Sequence, residues 1–337
     1  MTTYASDTTS AATTQRTFVQ AVNASLDHAL ARDPKVILLG EDISDPSGGG
    51  PFKATKGLSS KYGEDRVRNT PIAEQAIIGS AIGAALAGYR PVAEIMFMDF
   101  IGVAMDQIVN HAAKLRFMSG GATPVPLTIR TMIGQQRFGA QHTQSLEAWF
   151  MHIPGIKVVM PSTPSDAKGL LTSCILDEDP CLFIENVNLM YAQKQEVSDH
   201  DYSIPLGKAD VKRSGDDVTI VTYGAAVHTV LSAATTLQEV HQISAEVVDL
   251  RTLVPLDLET VLESVGRTRR VVVVHEATTF CGPGAEIATR ISEEMFSDLL
   301  APVLRVGAAY APAPYAASEL PFLPVPDDVV EKVRSLF

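Results

Sequence analysis

The chain has 337 residues, 46% of them hydrophobic and 20% charged, with a formal net charge of −12. That length exceeds one ordinary core and points to two domains of roughly 150 residues each, and the apolar content excludes a disordered chain. The negative balance, without any long Lys/Arg run, excludes a nucleic-acid partner bound through a basic surface.

Cys174, Cys181 and Cys281 supply no CxxC pair and no even framework, so neither a zinc site nor a disulfide scaffold is expected. The opening "MTTYASDTTSAATTQ", residues 1–15, lacks the basic start and apolar stretch of a signal peptide and reads as a disordered polar tail. No apolar run approaches the roughly 18 residues of a membrane span. The cytoplasm is therefore the expected compartment.

In chain order, a first domain is expected over residues 16–190. "TFVQAVNASLDHALARD" places apolar residues three or four apart and predicts a helix. Strands follow at "KVILLG" (35–40), "PVAEIMF" (91–97), "VPLTIR" (125–130), "IKVVMP" (156–161) and "CLFIE" (181–185), with "DFIGVAMDQIVNHAAKLRFM" reading as a second, more apolar helical stretch. Residues 191–205, "YAQKQEVSDHDYSIP", turn polar and charged and read as a linker. The pattern restarts over 206–337 with "DVTIVTYG" (217–224), a helix over 225–239, "AEVVDL" (245–250), "RVVVVHE" (270–276), "APVLRVG" (301–307), a Pro-rich segment and a last helix from about 327. Strands alternating with helices predict an α/β protein of two tandem domains with mainly parallel sheets.

Several motifs fail on spacing. "CGPGAEI" gives G-x-G-x-x-I, but five residues separate its first glycine, Gly282, from the preceding strand, and Walker A, G-x-S-x-G and H-E-x-x-H sequences do not occur. The glycines at 79, 83 and 88 are spaced for one face of a helix.

That helix carries the candidate chemistry. Thr70 reads as an N-cap and Pro71 as the first helical residue, with Glu74 closing the first turn. One reading of Glu74 is a carboxylate that complements the helix dipole. The other is an acid at the mouth of a tight interface, because Gly79, Ala81, Gly83, Ala84, Ala85, Ala87 and Gly88 leave the helix thin. Helical glycine costs about 1 kcal/mol relative to alanine, so a close helix or subunit contact is expected to compensate. A carboxyl group there exchanges a proton with a bound heterocycle.

Together "LLGEDI", "NTPIAEQAIIGSAIGAALAGYRPVAEIMFMDF", "DQIVNHAAK", "GAQHTQSLEAWFMHIPGIKVVMPSTPSDAKGLL", "VDLRTLVPLD" and "HEATTFCGPGAEIA" show that the chain from about Thr17 to Phe337 resembles the β subunit of the thiamine-diphosphate-dependent first component of 2-oxo acid dehydrogenase complexes. Pyruvate, branched-chain and acetoin-cleaving enzymes share this subunit. The resemblance implies a transketolase-like pyrimidine-binding domain followed by a transketolase C-terminal domain. It implies thiamine diphosphate shared with an α subunit, which holds the diphosphate and its Mg²⁺. No GDG-type diphosphate motif occurs in this sequence.

The family's roles fall on matching positions. Glu74 matches the glutamate that hydrogen-bonds the aminopyrimidine ring nitrogen and favours the tautomer that removes the thiazolium C2 proton. Glu41, after a strand, matches an acid near the cofactor, or is a solvated loop acid. Met96 and Phe100 match residues packing on the pyrimidine, or are plain core. His142 matches the histidine facing the substrate channel, or is a hydrogen-bonded structural residue; Arg137 and Phe138 precede it in a glycine-flanked loop. Leu127, Cys174, Asp177 and Asp179 match positions whose main-chain carbonyls bind K⁺ in some members. The implied partners are an α subunit, a second β subunit and a lipoyl-bearing acyltransferase core. The expected activity is decarboxylation of pyruvate or a related 2-oxo acid with transfer of the acyl group to lipoyl. Acetoin cleavage is the alternative, toward which "MFMDFIGVAMDQIVNHAAKLRFMSGG" leans; a stand-alone transketolase-like enzyme and a non-catalytic scaffold are further alternatives.

Overall fold

The computed structural model describes residues 12–134, 138–315 and 322–337. The aliphatic runs become buried strands, and the amphipathic stretches become the helices that cover them. The first half contains β1 (Thr13–Arg16), α1 (Phe18–Arg32), β2 (Val36–Gly40), α2 (Leu58–Tyr62), β3 (Val67–Asn69), α3 (Glu74–Leu86), β4 (Arg90–Ile95), α4 (Ala113–Met118), β5 (Thr128–Ile133), α5 (Glu147–Met151), β6 (Lys157–Val159), α6 (Pro164–Leu176), β7 (Cys181–Asn186) and β8 (Gln195–Ser198). The second half adds β9 (Asp210–Arg213), β10 (Val218–Thr222), α7 (Ala226–His241), β11 (Ala245–Asp249), β12 (Thr252–Val254), α8 (Leu258–Thr268), β13 (Val271–Thr278), α9 (Pro283–Met295), β14 (Leu304–Ala308) and α10 (Pro326–Arg334).

Two sheets organise these elements, in the orders β12-β6-β7-β5-β4-β2-β3 and β14-β13-β10-β11-β9. Within them only β12 on β6 and β9 on β11 run antiparallel. Every residue of β5, β7 and β10 is buried, as expected of parallel strands covered on both faces. α1 and α6 pack over one face of the first sheet. On the other face, one apolar core runs from Ile77, Ile95 and Ile129 into Val221, Val248, Val265 and Ile287 of the second half.

The halves are therefore not beads on a string. β12 leaves the second half to close the edge of the first sheet, pairing Thr252 with Val159 and Val254 with Val158. Buried Asp166 of α6 binds Lys212 Nζ at 2.8 Å and Arg251 Nη2 at 2.9 Å, and Ser162 Oγ donates to Asp249 Oδ2 at 2.6 Å.

Four expectations need correction. Residues 13–15, assigned to the tail, lie in β1, which pairs antiparallel with β8, itself inside the expected linker; the rest of the tail, to residue 11, lies outside the described residues. The ribbon was illegible because three of the four β1 residues are exposed and polar. The helical stretch over 99–118 is broken into a 3₁₀ turn at Met98–Ala104, a π-helical stretch at Gln107–Ala112 and α4. "VPLTIR" marks β5 three residues early. Finally, Thr70 and Pro71 do not cap α3: the Thr70 amide still donates to Gly40 O at 2.9 Å, beside the β2–β3 pair, so the helix begins only at Glu74, after an Ala73 that offers no capping side chain.

Candidate active site

In the first sheet the chain passes from β2 to β3 on one side and then to β4 on the other. The crevice beyond the carboxyl ends of β2 and β4 is thus a topological switch point, where open α/β sheets place their ligands. Glu41 is the residue after β2, Met96 the residue after β4, and Glu74 the first residue of α3.

Glu74 is 9% exposed, and its carboxyl group has no hydrogen-bond or ion-pair partner among the described residues. Burying a carboxylate without a partner is costly, so a donor from outside the chain fits it. Half-buried Glu41 is in the same position. Its carboxyl is pushed upward by burial first, then by the charges of Glu74, Asp42 and Glu94, which places the two candidate acids together. The backbone around them is bent to fit: Asp42 adopts φ 54°, its carbonyl accepts the Gly50 amide at 2.8 Å, and a Cβ on Gly50 would lie 3.3 Å from Glu94 Oε1.

Glu94 belongs to a buried ion triad. Arg130 Nη1 donates to Glu94 Oε2 and Arg130 Nε to Glu185 Oε1, each at 2.6 Å, across β4, β5 and β7. Burial outweighs the Arg130 charge and pushes the Glu185 carboxyl up to about 7. The acid in "PVAEIMF" was the sequence signal for this triad, since a charge inside a buried strand requires a partner.

The second cluster is aromatic. Phe100 and His142 meet edge to face with ring centres 5.1 Å apart, and Phe97 touches His142 at 5.4 Å, Phe100 at 6.1 Å, Phe138 at 5.9 Å and Phe52 at 6.3 Å. Met96, Phe52 and Phe100 pack, partly buried, against one apolar core. Asp99 pins the His142 loop, its Oδ1 accepting from Gln144 Nε2 at 2.8 Å and from Gln144 N at 3.3 Å. Phe97 and Asp99 escaped the sequence reading because "MFMDF" offers several apolar residues and no period to rank them, and Phe52 because nothing in "PFKATKG" marks it. Arg137 lies outside the described residues.

The K⁺ candidates lie elsewhere, before the amino ends of β5 and β7. Leu127 O accepts Cys181 N at 2.9 Å, Cys174 O accepts Asp177 N at 3.2 Å, and Asp177 O accepts Arg90 Nη1 at 3.0 Å. Lys157 holds the Asp177 and Asp179 carboxylates at 2.7 and 3.3 Å. A cation would fit there only through the second lone pair of each carbonyl.

The arrangement offers two adjacent acids with free oxygens beside an apolar, aromatic wall. It suits a flat heterocycle that carries a protonatable nitrogen.

Comparison with known proteins gives the following. The family described as "Transketolase, pyrimidine binding domain" matches residues 14–192, and "Transketolase, C-terminal domain" matches residues 207–329. The chain is 49% identical over 305 residues to the acetoin:2,6-dichlorophenolindophenol oxidoreductase subunit beta of Cupriavidus necator, covering 88% of this chain and 89% of that protein. It is 46% identical over 322 residues to the 2-oxoisovalerate dehydrogenase subunit beta of Bacillus subtilis, covering 95% and 98%. It is 46% identical over 323 residues to the pyruvate dehydrogenase E1 component subunit beta of the same organism, covering 96% and 98%. Among solved structures, a split-gene transketolase described as an inactive beta4 tetramer superposes with a TM-score of 0.77 at 25% identity, covering 95% of this chain and 97% of that one. A transketolase from Leishmania mexicana gives 0.69 at 20%, covering 98% and 46%.

Proposed function

The chain belongs to the transketolase-like β subunits of 2-oxo acid dehydrogenase first components, and from that premise we propose that it holds the aminopyrimidine of thiamine diphosphate with Glu74 while an α subunit holds the diphosphate and Mg²⁺. The observation that carries this reading is the buried Glu74 carboxyl at the head of α3, next to Glu41 and without a partner in its own chain. When bound, thiamine diphosphate supplies a nucleophilic carbon able to attack a carbonyl.

The chain's own residues do the rest. Glu74 would hold a proton against the ring nitrogen. Glu41 keeps a second carboxyl beside it, and Met96 and Phe100 wall the crevice. His142, oriented by Phe97, Phe100 and the Asp99–Gln144 contact, faces the substrate and serves proton transfer during passage of the acyl group to a lipoyl arm. The Leu127, Cys174, Asp177 and Asp179 carbonyls carry K⁺ in the same reading. A second β subunit, and an acyltransferase core bearing the lipoyl group, complete the working assembly, in the cytoplasm.

The substrate is pyruvate or a related 2-oxo acid. Acetoin is the second reading, favoured by the stretch over 96–121 and by the 49% identity to the acetoin-acting relative. Reconstituting the chain with its α subunit and assaying pyruvate, acetoin and branched 2-oxo acids with an artificial electron acceptor separates them. Normal turnover by Glu74→Gln in that assembly would overturn the catalytic reading and leave a scaffold.

A further inference from the structure

The second sheet has a switch point of its own. From β10 the chain moves to β11 on one side and later to β13 on the other, so the carboxyl ends of β10 and β13 flank a crevice. Beside it, beyond the carboxyl ends of the neighbouring strands β13 and β14, a cavity of about 620 Å³ opens between the halves of the chain. That volume is typical of a small-molecule site, and it lies apart from Glu41 and Glu74, neither of which lines it.

Its chemistry is one-sided. Trp149, Phe280 and Tyr310 form aromatic walls, with Phe280 and Tyr310 in edge contact at 5.0 Å. Glu276 is the single acidic residue in the lining, and no Lys or Arg joins it among the described residues. Behind it stands a second acid: Glu147, fully buried, accepts Tyr223 Oη on Oε1 at 2.9 Å and leaves Oε2 without a partner among the described residues. Glu147 lies in the chain between Leu146 and Ala148, which both line the cavity. Asn186 Nδ2 donates to Glu276 Oε2 and fixes the carboxyl group in place.

We propose that this cavity is a second binding site, for an organic ammonium ion that carries an apolar group. Glu276 supplies the charge that an ammonium needs, and the rings supply faces on which a cation or an aryl group settles. One wall is the segment Thr143–Leu146, which follows His142 directly, so an occupant presses on the loop that carries that histidine.

The groups around Glu276 are Glu147 of α5, Asn186 of β7 and Tyr223 after β10; His152 lines the same cavity, and Lys194 and His228 line a neighbouring cavity that Glu276 also borders. Burial, then the Glu147 charge, push the Glu276 carboxyl up to about 7. Ammonium binding consequently strengthens roughly tenfold between pH 6 and pH 8, as the carboxyl passes from about one-tenth to about nine-tenths ionised.

Calorimetric titration of the full chain with phenethylammonium tests this, with phenylacetate as the anion of similar shape. Saturable binding of the ammonium and not of phenylacetate is expected, weakened at least tenfold by Glu276→Gln and several-fold by Phe280→Ala at the exposed rim. No saturable ammonium binding, equal binding of phenylacetate, or unchanged affinity in both variants overturns the proposal. So does loss of binding once the chain is assembled with its α subunit, which would assign the cavity to a partner's basic side chain. None of these readouts uses thiamine diphosphate or turnover, so the result stands apart from the role given to Glu74.

Discussion

At the scale of single residues, Glu74 is set apart by what it lacks. Glu94, Glu185, Glu147 and Glu276 are all wholly or partly buried and all bound by Arg, Tyr or Asn side chains, whereas Glu74 has no such partner among the described residues. Replacing it with Gln keeps the volume and removes the acid. Turnover of the assembled enzyme should fall by ~10²–10³, in the range of a lost general acid–base group, with an unchanged melting temperature. Asp99 acts one step away. Asp99→Ala releases both Gln144 contacts and lets the His142 loop shift, so kcat should fall by ~10-fold while KM changes less; steady-state kinetics on the folded variant checks it. Glu74, Glu41 and His142 stood out in the sequence because the motifs around them are specific. Asp99 and Phe97 did not, since their contacts with Gln144 and His142 span 45 residues of sequence.

At the scale of elements, the central strands were legible from their aliphatic runs, and those missed were β1, β3, β8, β9 and β12. Most are short and partly exposed, so no buried run announces them. The broken helix over 98–118 was misread for another reason: its apolar spacing suits a helix, but tertiary contacts decide the turn type. One of these contacts is Gly155, at φ 102°, where an added Cβ would overlap the Ala113 carbonyl at the start of α4. Gly155→Ala should cost about 3 kcal/mol, read as a clear drop in the thermal midpoint. The outer face of α3 behaves in the opposite way. A Cβ on Gly83 would meet nothing within 4 Å in this chain. Gly83→Leu should leave the melting curve of the isolated chain close to that of the parent but weaken its assembly, measured by light scattering after mixing with the α subunit.

At the scale of the whole molecule, two domains share one core, one sheet edge and a seam of buried acids. No described helix is long and apolar enough to cross a membrane. The seam makes stability depend on pH in a predictable sense. The Glu276 carboxyl is raised from an ordinary 4.5 to about 7, so the folded chain retains a proton that the unfolded chain releases. The stability this contributes is complete below about pH 4.5 and lost as pH rises through about 7. Glu276→Gln carries no such proton. Its melting temperature relative to the parent should therefore rise between pH 5 and pH 8, and a flat difference would contradict the assignment. Domain order was visible in the sequence, but this mutual dependence was not, because nothing in "RTLVP" distinguishes a loop from a strand lent to another sheet.

That lent strand has a consequence for synthesis. Until residue 254 has been made, the growing polypeptide displays β6 as an open edge with unpaired amides and carbonyls, a template for pairing with a neighbour. The amino-terminal half therefore cannot mature on the ribosome ahead of the rest, and premature termination between the two sheets should yield sticky fragments rather than a usable module.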